Sequence, residues 1–496
     1  MTVTTGRVSL PAMSDQLTAL DATFLELEQM DEGATMHIGS VMVFEPVPDG
    51  PLPTLQEVRE SIASRLTLLP RYSQRLSSER TGGLSWPRWE RYEQFDVADH
   101  VQRAALPAPG GERELTEWAA DFFSHRLDRT RPLWEMVLLE GLEGGRWALA
   151  SKTHHCLVDG VGSVGVTHLL LDLEPKPAPH NKGERPLDRP LTPGIGADWI
   201  PRPPEAITGL ARTGMRAAAA GLHASLHPRE TLERSRSLAE LFVRDELVGA
   251  PPSSINVPIG ATRRYEVVRA PLAELKTIGH ALEGSVNDVI LAACTSGLRE
   301  LLLSRSETPP AQGLRAMVPM NLRAGSEQLA LGNRISSLFV ELPVAEPDAY
   351  ARLRRIIERT RALKASSAAL GAATMLDLAA LAPPLLHASL ARSLYATRLF
   401  NLTITNVPGP RVPLYAFGAP LREALPIVPL AAHHAIGIAI VSYGGNLTLG
   451  LSADRDSTHD LDVLVEGVEE GFAELRPLLP AKPQPKRERQ AARISR

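Results

Sequence analysis

Cysteine is nearly absent from this chain. Cys156 and Cys294 are the only two in 496 residues, too few for a disulfide framework and in keeping with a reducing compartment. Long apolar runs are also missing. A bilayer span needs roughly 18 to 20 apolar residues, and the nearest approach, LAALAPPLLHASLA, is broken by Pro383 and Pro384. Nor does one charge dominate: 53 Lys and Arg stand against 57 Asp and Glu, for a net charge of −4 and a pI near 6.4. That balance argues against nucleic acid as a partner. The opening MTVTTGRVSLPAMSDQ lacks the charged-then-apolar pattern of a secretory signal and reads as a leader, with Met13 an alternative start. What remains is an ordinary globular composition, 44% apolar and 22% charged. The expected location is cytoplasmic, with any membrane contact peripheral.

The length calls for more than one core. Residues 1–15 read as a leader, and residues 16–173 as a first α/β domain. Residues 174–250 form a proline-rich linker with crossover helices, residues 251–478 a second α/β domain, and residues 479–496 a basic tail. In the first domain, Thr18 with Asp21 three residues on resembles a helix N-cap. MHIGSVMVF reads as a strand. PLWEMVLLEGL and RWALASKTHH read as a hairpin turning at Glu143, Gly144 and Gly145. In the second domain strands are expected near residues 265–268, 315–319, 336–342, 402–405, 436–442 and 447–451, with a helix over 287–303.

The second hairpin strand ends in KTHHCLVDGVG, Lys152 to Gly162. His154, His155, Cys156 and Asp159 all carry metal-ligating atoms. Adjacent residues at a strand end point to opposite sides, however, and no second Cys/His cluster completes a site, so no metal is expected. A structural reading makes both histidines buried and satisfied, with Asp159-Gly160 a plain turn. An acid/base reading uses the arrangement better. One imidazole faces a cavity, where an ordinary pKa near 6.5 lets it take a proton, while the other packs inward. Asp159 holds the turn, and Gly160 lets the chain reverse without a Cβ clash. No Gly-x-Ser-x-Gly elbow supplies a nucleophile. Direct attack of a deprotonated hydroxyl on an activated acyl group is the simplest chemistry that fits.

HHCLVDG matches the HHxxxDG signature of coenzyme-A-dependent acyltransferases and condensation domains. The chain around it resembles the bacterial wax ester synthase/diacylglycerol acyltransferase family over nearly its whole length. LTALDATFLELE, the run from HRLDRTRPLWEMV into the signature, SVNDVILAACTSGLRELL, LRAMVPMNLR with LGNRISSLFVELP, NLTITNVPGPRVPLYAFGAPL and SYGGNLTLGLSADRD carry the resemblance in order. Asn321 and Thr405 are small departures that remove no proton-transfer group.

The resemblance implies a chloramphenicol-acetyltransferase-like α/β fold: two such domains in one chain, joined by a crossover linker, with an active-site tunnel between them. It implies His155 as general base, His154, Asp159 and Gly160 as shaping residues, and Asn287 and Asp288 as support from the second domain. Asn287 and Asp288 equally suit a capped helix start, and Pro132, Leu133 and Trp134 suit a purely structural role. The implied reaction is long-chain acyl transfer from acyl-CoA, a co-substrate, to diacylglycerol or a long-chain alcohol, with no cofactor. Contact with the inner membrane face or a lipid inclusion is expected. The rival readings are a condensation-type acyltransferase with another acceptor or a carrier-protein donor, and a silent acyl-lipid-binding protein. With an unperturbed His155, activity should fall below a pH of about 6 to 7.

Overall fold

The computed structural model describes residues 17–77, 87–158, 170–175, 249–321, 335–365, 399–410 and 412–479. The leader, Asp159 and Gly160 of the signature, nearly all of the linker and the basic tail lie outside the described residues.

Local signals start the elements. Thr18 caps α1 (Ala19–Met30) by accepting the Asp21 N–H at 3.1 Å. Thr54 and Glu57 form a reciprocal capping box at the start of α2 (Leu55–Arg65). The first sheet contains β1 (His37–Phe44), β4 (Val101–Ala105), β5 (Trp134–Glu140) and β6 (Trp147–His154). A two-stranded ribbon, β2 (Gln74–Leu76) and β3 (Trp89–Arg91), lies apart from it, and α3 (Glu112–Ser124) precedes β5. The expected hairpin is present: β5 and β6 run antiparallel, with Trp134 opposite Thr153.

The second sheet is ordered β7-β14-β13-β10-β8-β9. Its strands are β7 (Arg263–Pro271), β8 (Leu314–Asn321), β9 (Ile335–Leu342), β10 (Leu402–Val407), β13 (Ile436–Tyr443) and β14 (Asn446–Asp454). One face is covered by α4 (Leu272–Ala281), α5 (Val286–Ser304), α6 (Ala349–Ala365) and α7 (Leu461–Leu475). Each strand expected in this half is there. Strands β6 and β14, interior in their sheets, bury nearly every residue, which is why they read as continuous apolar runs rather than alternating ones.

Two further strands change how the halves relate. β11 (Tyr415–Ala416) and β12 (Ala419–Ile427) come from the second half of the chain, yet they complete the first sheet, ordered β11-β12-β1-β6-β5-β4. β12 lies antiparallel to β1, with Val41 opposite Leu425. A shared core follows, in which Val41, Phe123, Val137 and Ala150 pack with Tyr265, Val267, Leu425 and Ile427. At this seam the Tyr265 hydroxyl donates to the Pro426 carbonyl at 3.0 Å. Gly450 permits the approach, since a Cβ there would stand 2.0 Å from that carbonyl oxygen and 2.5 Å from the Tyr265 hydroxyl. Gly450→Ala should therefore destabilise the protein by about 2 to 3 kcal/mol through overpacking. The urea unfolding midpoint reads this, and an unchanged midpoint would show that the seam tolerates a side chain.

Candidate active site

Strand β6 ends at the histidine doublet, and the two backbone N–H groups there are held from two sides. The His154 N–H donates to the Leu133 carbonyl at 3.0 Å, and the His155 N–H donates to the Met36 carbonyl at 2.8 Å. Of Pro132, Leu133 and Trp134, it is Leu133 that meets the doublet directly, through its backbone carbonyl. Trp134 is fully buried, its indole N–H donates to the Tyr72 carbonyl at 2.7 Å, and its ring stacks on His100 at 4.7 Å. Lys152, two residues before the doublet, reaches the carbonyls of Phe122 and His125 at the end of α3 and pairs with Glu135 at 3.0 Å. A cation on helix-terminal carbonyls is a favourable placement, and it pins β6 beside α3.

The two imidazoles take different surroundings. His154 is wholly buried and lies opposite His37 in the β1–β6 register, with the two rings edge to face at 5.8 Å. Its Nδ1 accepts the Cys156 N–H at 3.1 Å, which leaves the ring proton on Nε2, 3.5 Å from Glu28 Oε2. Glu28 Oε1 lies 3.3 Å from His37 Nε2 and accepts the Met36 N–H at 3.2 Å. Arg129 closes the cluster with its guanidinium 2.6 Å from Glu28 Oε2. Burial alone would push the Glu28 carboxyl up, but its contacts with His154, His37 and Arg129 outweigh this and hold it well below the usual carboxylate range. Burial pushes both His37 and His154 down, so the cluster is one anion, one guanidinium and two neutral imidazoles at neutral pH.

His155 faces elsewhere. Its ring lies flat on Phe24, centroids 3.9 Å apart and planes 13° apart. Burial pushes its pKa down to about 4, and His154 adds to the shift. At neutral pH it is an unprotonated imidazole. Cys156 is no rival nucleophile, because burial pushes its thiol well up and the thiolate is the reactive form. Among the described residues, no group of three or more His, Cys, Asp or Glu is placed to hold a metal ion.

Asn287 and Asp288 sit in the second half at the start of α5. Asp288 completes a capping box with Ser285, accepting its N–H and its hydroxyl at 2.7 Å each, and also accepts the Thr360 hydroxyl at 2.7 Å. Asn287 Oδ1 accepts from the Asn406 side chain at 3.4 Å, which joins the Asn-Asp pair to the NVPGP segment. Between the halves lies a cavity lined by Thr35, His37, Phe123, Arg263, Tyr265 and Ser452, among others; His155 is not among its lining residues. Phe24, Glu28, His37 and Arg129 are the residues that sequence reasoning did not single out. Their signal was present in LTALDATFLELE, where Phe24 and Glu28 stand four apart on one helix face.

Comparison with known proteins decides the family. Residues 17–290 match the wax ester synthase/diacylglycerol acyltransferase catalytic domain, and residues 331–476 match the C-terminal domain of the same group. The chain belongs to the wax ester synthase/diacylglycerol acyltransferase family. It is 32% identical over 472 residues to the probable diacylglycerol O-acyltransferase tgs1 of Mycobacterium tuberculosis, covering 93% of this chain and 96% of that one. The probable diacylglycerol O-acyltransferase tgs2 of the same organism is 32% identical over 463 residues, covering 92% of this chain and 97% of that one. Among solved structures, the wax ester synthase/diacylglycerol acyltransferase from Marinobacter aquaeolei superposes with a TM-score of 0.68 at 25% identity, over 94% of this chain and 99% of that one. The starter condensation domain of rhizomide synthetase superposes with a TM-score of 0.57 at 12% identity, over 94% of each chain, a likeness of fold alone. Two sheets with the halves of the chloramphenicol-acetyltransferase-like superfamily are thus the architecture of this family member.

The neutral buried histidines make stability depend on pH. The unfolded chain protonates them below about pH 6.5 while the folded chain refuses the proton, so stability is full above that pH and falls as pH drops toward the lowered folded values. Each histidine contributes up to about 1.4 kcal/mol per pH unit in that window. Glu28 acts in the same direction lower on the pH scale: its contribution is lost as pH falls below about 4.5 toward its depressed folded value. The melting temperature should therefore fall steadily from pH 6.5 to pH 5, and less steeply in His37→Gln. Equal slopes in the two proteins would remove His37 from this account.

Proposed function

We propose that this protein transfers a long-chain acyl group from acyl-CoA to the hydroxyl of diacylglycerol or of a long-chain alcohol, with His155 as general base. The observation that carries the reading is the division of labour within the doublet. His154 is consumed by the Glu28 cluster, whereas His155 stands outside it as a neutral imidazole on Phe24. Membership of the family and the names of the mycobacterial relatives support the acyl donor and acceptor classes.

In this reading His155 takes the proton of the acceptor hydroxyl as its oxygen attacks the thioester carbon. The carbon–sulfur bond then breaks, and the proton passes from His155 to the departing thiolate, giving ester and free coenzyme A. No covalent enzyme intermediate is needed, which accords with a Cys156 thiol held protonated. Asn287, bonded to Asn406, is assigned support of the site from the second half. The acceptors partition into lipid, so the reading places the protein at a lipid surface. Among the described residues no helix is long and apolar enough to cross a membrane.

Coenzyme A release from palmitoyl-CoA, with dioleoylglycerol or hexadecanol as acceptor and the product identified by mass, tests the reaction. Wild type should release coenzyme A only when an acceptor is present, and His155→Ala should lose about 100-fold or more. Binding of acyl-CoA without turnover on either acceptor would favour a silent binder or another acceptor. The pH profile is a separate test. An ordinary imidazole gives an acid limb near 6.5, but burial of His155 moves the expected limb down toward 4. Activity should hold from pH 8 to about 5 and fall below that, as the base becomes protonated. A limb at 6.5 in kcat/KM, with the fold intact, would show that the free enzyme holds His155 wetter than this structure does.

A further inference from the structure

One helix serves both members of the doublet. Phe24 and Glu28 are four residues apart on α1, so their side chains leave the same helix face one turn apart. Glu28 meets His154 and Phe24 meets His155. The helix is fixed at its start by the Thr18 cap. Phe24 itself is braced by Leu27, Ala34 and Met36, with Ala431 of the second half packed against the same group. Met36 is also the residue whose carbonyl accepts the His155 N–H. Ring and backbone of His155 are thereby referred to one small apolar cluster.

We propose that Phe24 is the positioning residue for the base: its ring, laid flat on the His155 imidazole, fixes the plane in which that imidazole meets the acceptor hydroxyl and keeps water off one of its faces. The inference rests on the reading of His155 as general base. A centroid distance of 3.9 Å with 13° between planes is a face-to-face stack. It leaves the ring edge, with its nitrogens, as the direction for proton transfer. The charged groups acting on the adjacent Cys156 are Asp21 and Glu28 on α1, Arg71 ahead of β2, and Arg129. On His155 itself the acting neighbour is His154, which shifts it in the same direction as burial.

The test combines kinetics with a direct titration of the imidazole. Histidine labelled with carbon-13 at Cε1 gives one resonance per ring, and His155→Gln identifies the signal of interest. In wild type that signal should titrate near 4. In Phe24→Leu it should move up toward 6.5, and kcat should fall roughly tenfold with KM within about twofold, the mark of a misplaced group acting in the transition state. Phe24→Tyr should restore both. Should Phe24→Leu fail to fold, Phe24→Met carries the same comparison. An unmoved titration in Phe24→Leu, or an unchanged kcat while His155→Gln abolishes turnover, overturns the proposal alone. Turnover that survives in His155→Gln sinks the base reading, and the proposal falls with it.

Discussion

The Glu28 carboxylate is the interaction on which the neighbourhood of the doublet depends. It is a charge with almost no exposure, and it is tolerable there because Arg129, His154 and the Met36 N–H converge on it, while His37 Nε2, which accepts the Leu127 N–H, packs 3.3 Å away. A buried anion with too few partners would protonate or unfold the region. Each partner is therefore held in place by the others. Arg129 comes from the turn before the PLW segment, His37 from the start of β1, and His154 from the end of β6. One carboxylate thus joins the N-terminal helix to three separated segments and fixes where strand β6 must stop.

The same economy explains why the two halves do not come apart as two independent cores. β12 completes the first sheet from the far half of the chain, so β1 is an interior strand only when the second half has folded. Arg263, at the start of β7, donates to the Gly33 carbonyl in the loop that links α1 to β1. A Cβ at Gly33 would lie 2.2 Å from the Ile259 carbonyl oxygen, so that loop is pressed directly against the second half. Between α1, which carries Phe24 and Glu28, and β1, which carries His37, the chain is held by a residue of the opposite half. The geometry of the doublet therefore depends on both halves, although neither histidine belongs to the second.

Much of this was legible in the residues, for identifiable reasons. Strands such as IGIAIVSY and LTLGLSAD are continuous apolar or β-branched runs bounded by turns: the expected 436–442 ends one residue short of β13, and 447–451 ends three residues short of β14. The Thr18 cap was visible because its partner lies three residues away. β12 was not read as a strand. Its sequence APLREALPI holds Pro420 and Pro426, which weigh against a central strand, and its pairing with β1 is set by contacts hundreds of residues distant. The doublet was found because two adjacent histidines are rare and their neighbours follow a spacing. Glu28 and His37 were passed over because each looks ordinary alone. Their meaning lies in a convergence that neither helical period nor strand alternation encodes.

Dryness is the feature of the doublet that most constrains its chemistry. A histidine at its ordinary pKa would be a stronger base, but it would be partly protonated in mildly acidic surroundings and solvated throughout. Under the proposed role, removing water makes His155 a weaker base that is in the right form near neutrality. It also strengthens every electrostatic interaction made by charge that develops during acyl transfer. The cost to basicity is recoverable only if the imidazole is already aligned with the hydroxyl, since a weak base gains most from a proton partner held at hydrogen-bond distance. Alignment and exclusion of water are the two properties that a flat aromatic neighbour supplies together, and a thioester exposed to water would be lost to hydrolysis. On the proposed reading of His155, the stacked Phe24, the buried Glu28 cluster and the interlocked halves meet one requirement at three scales: a proton acceptor kept neutral, fixed and dry.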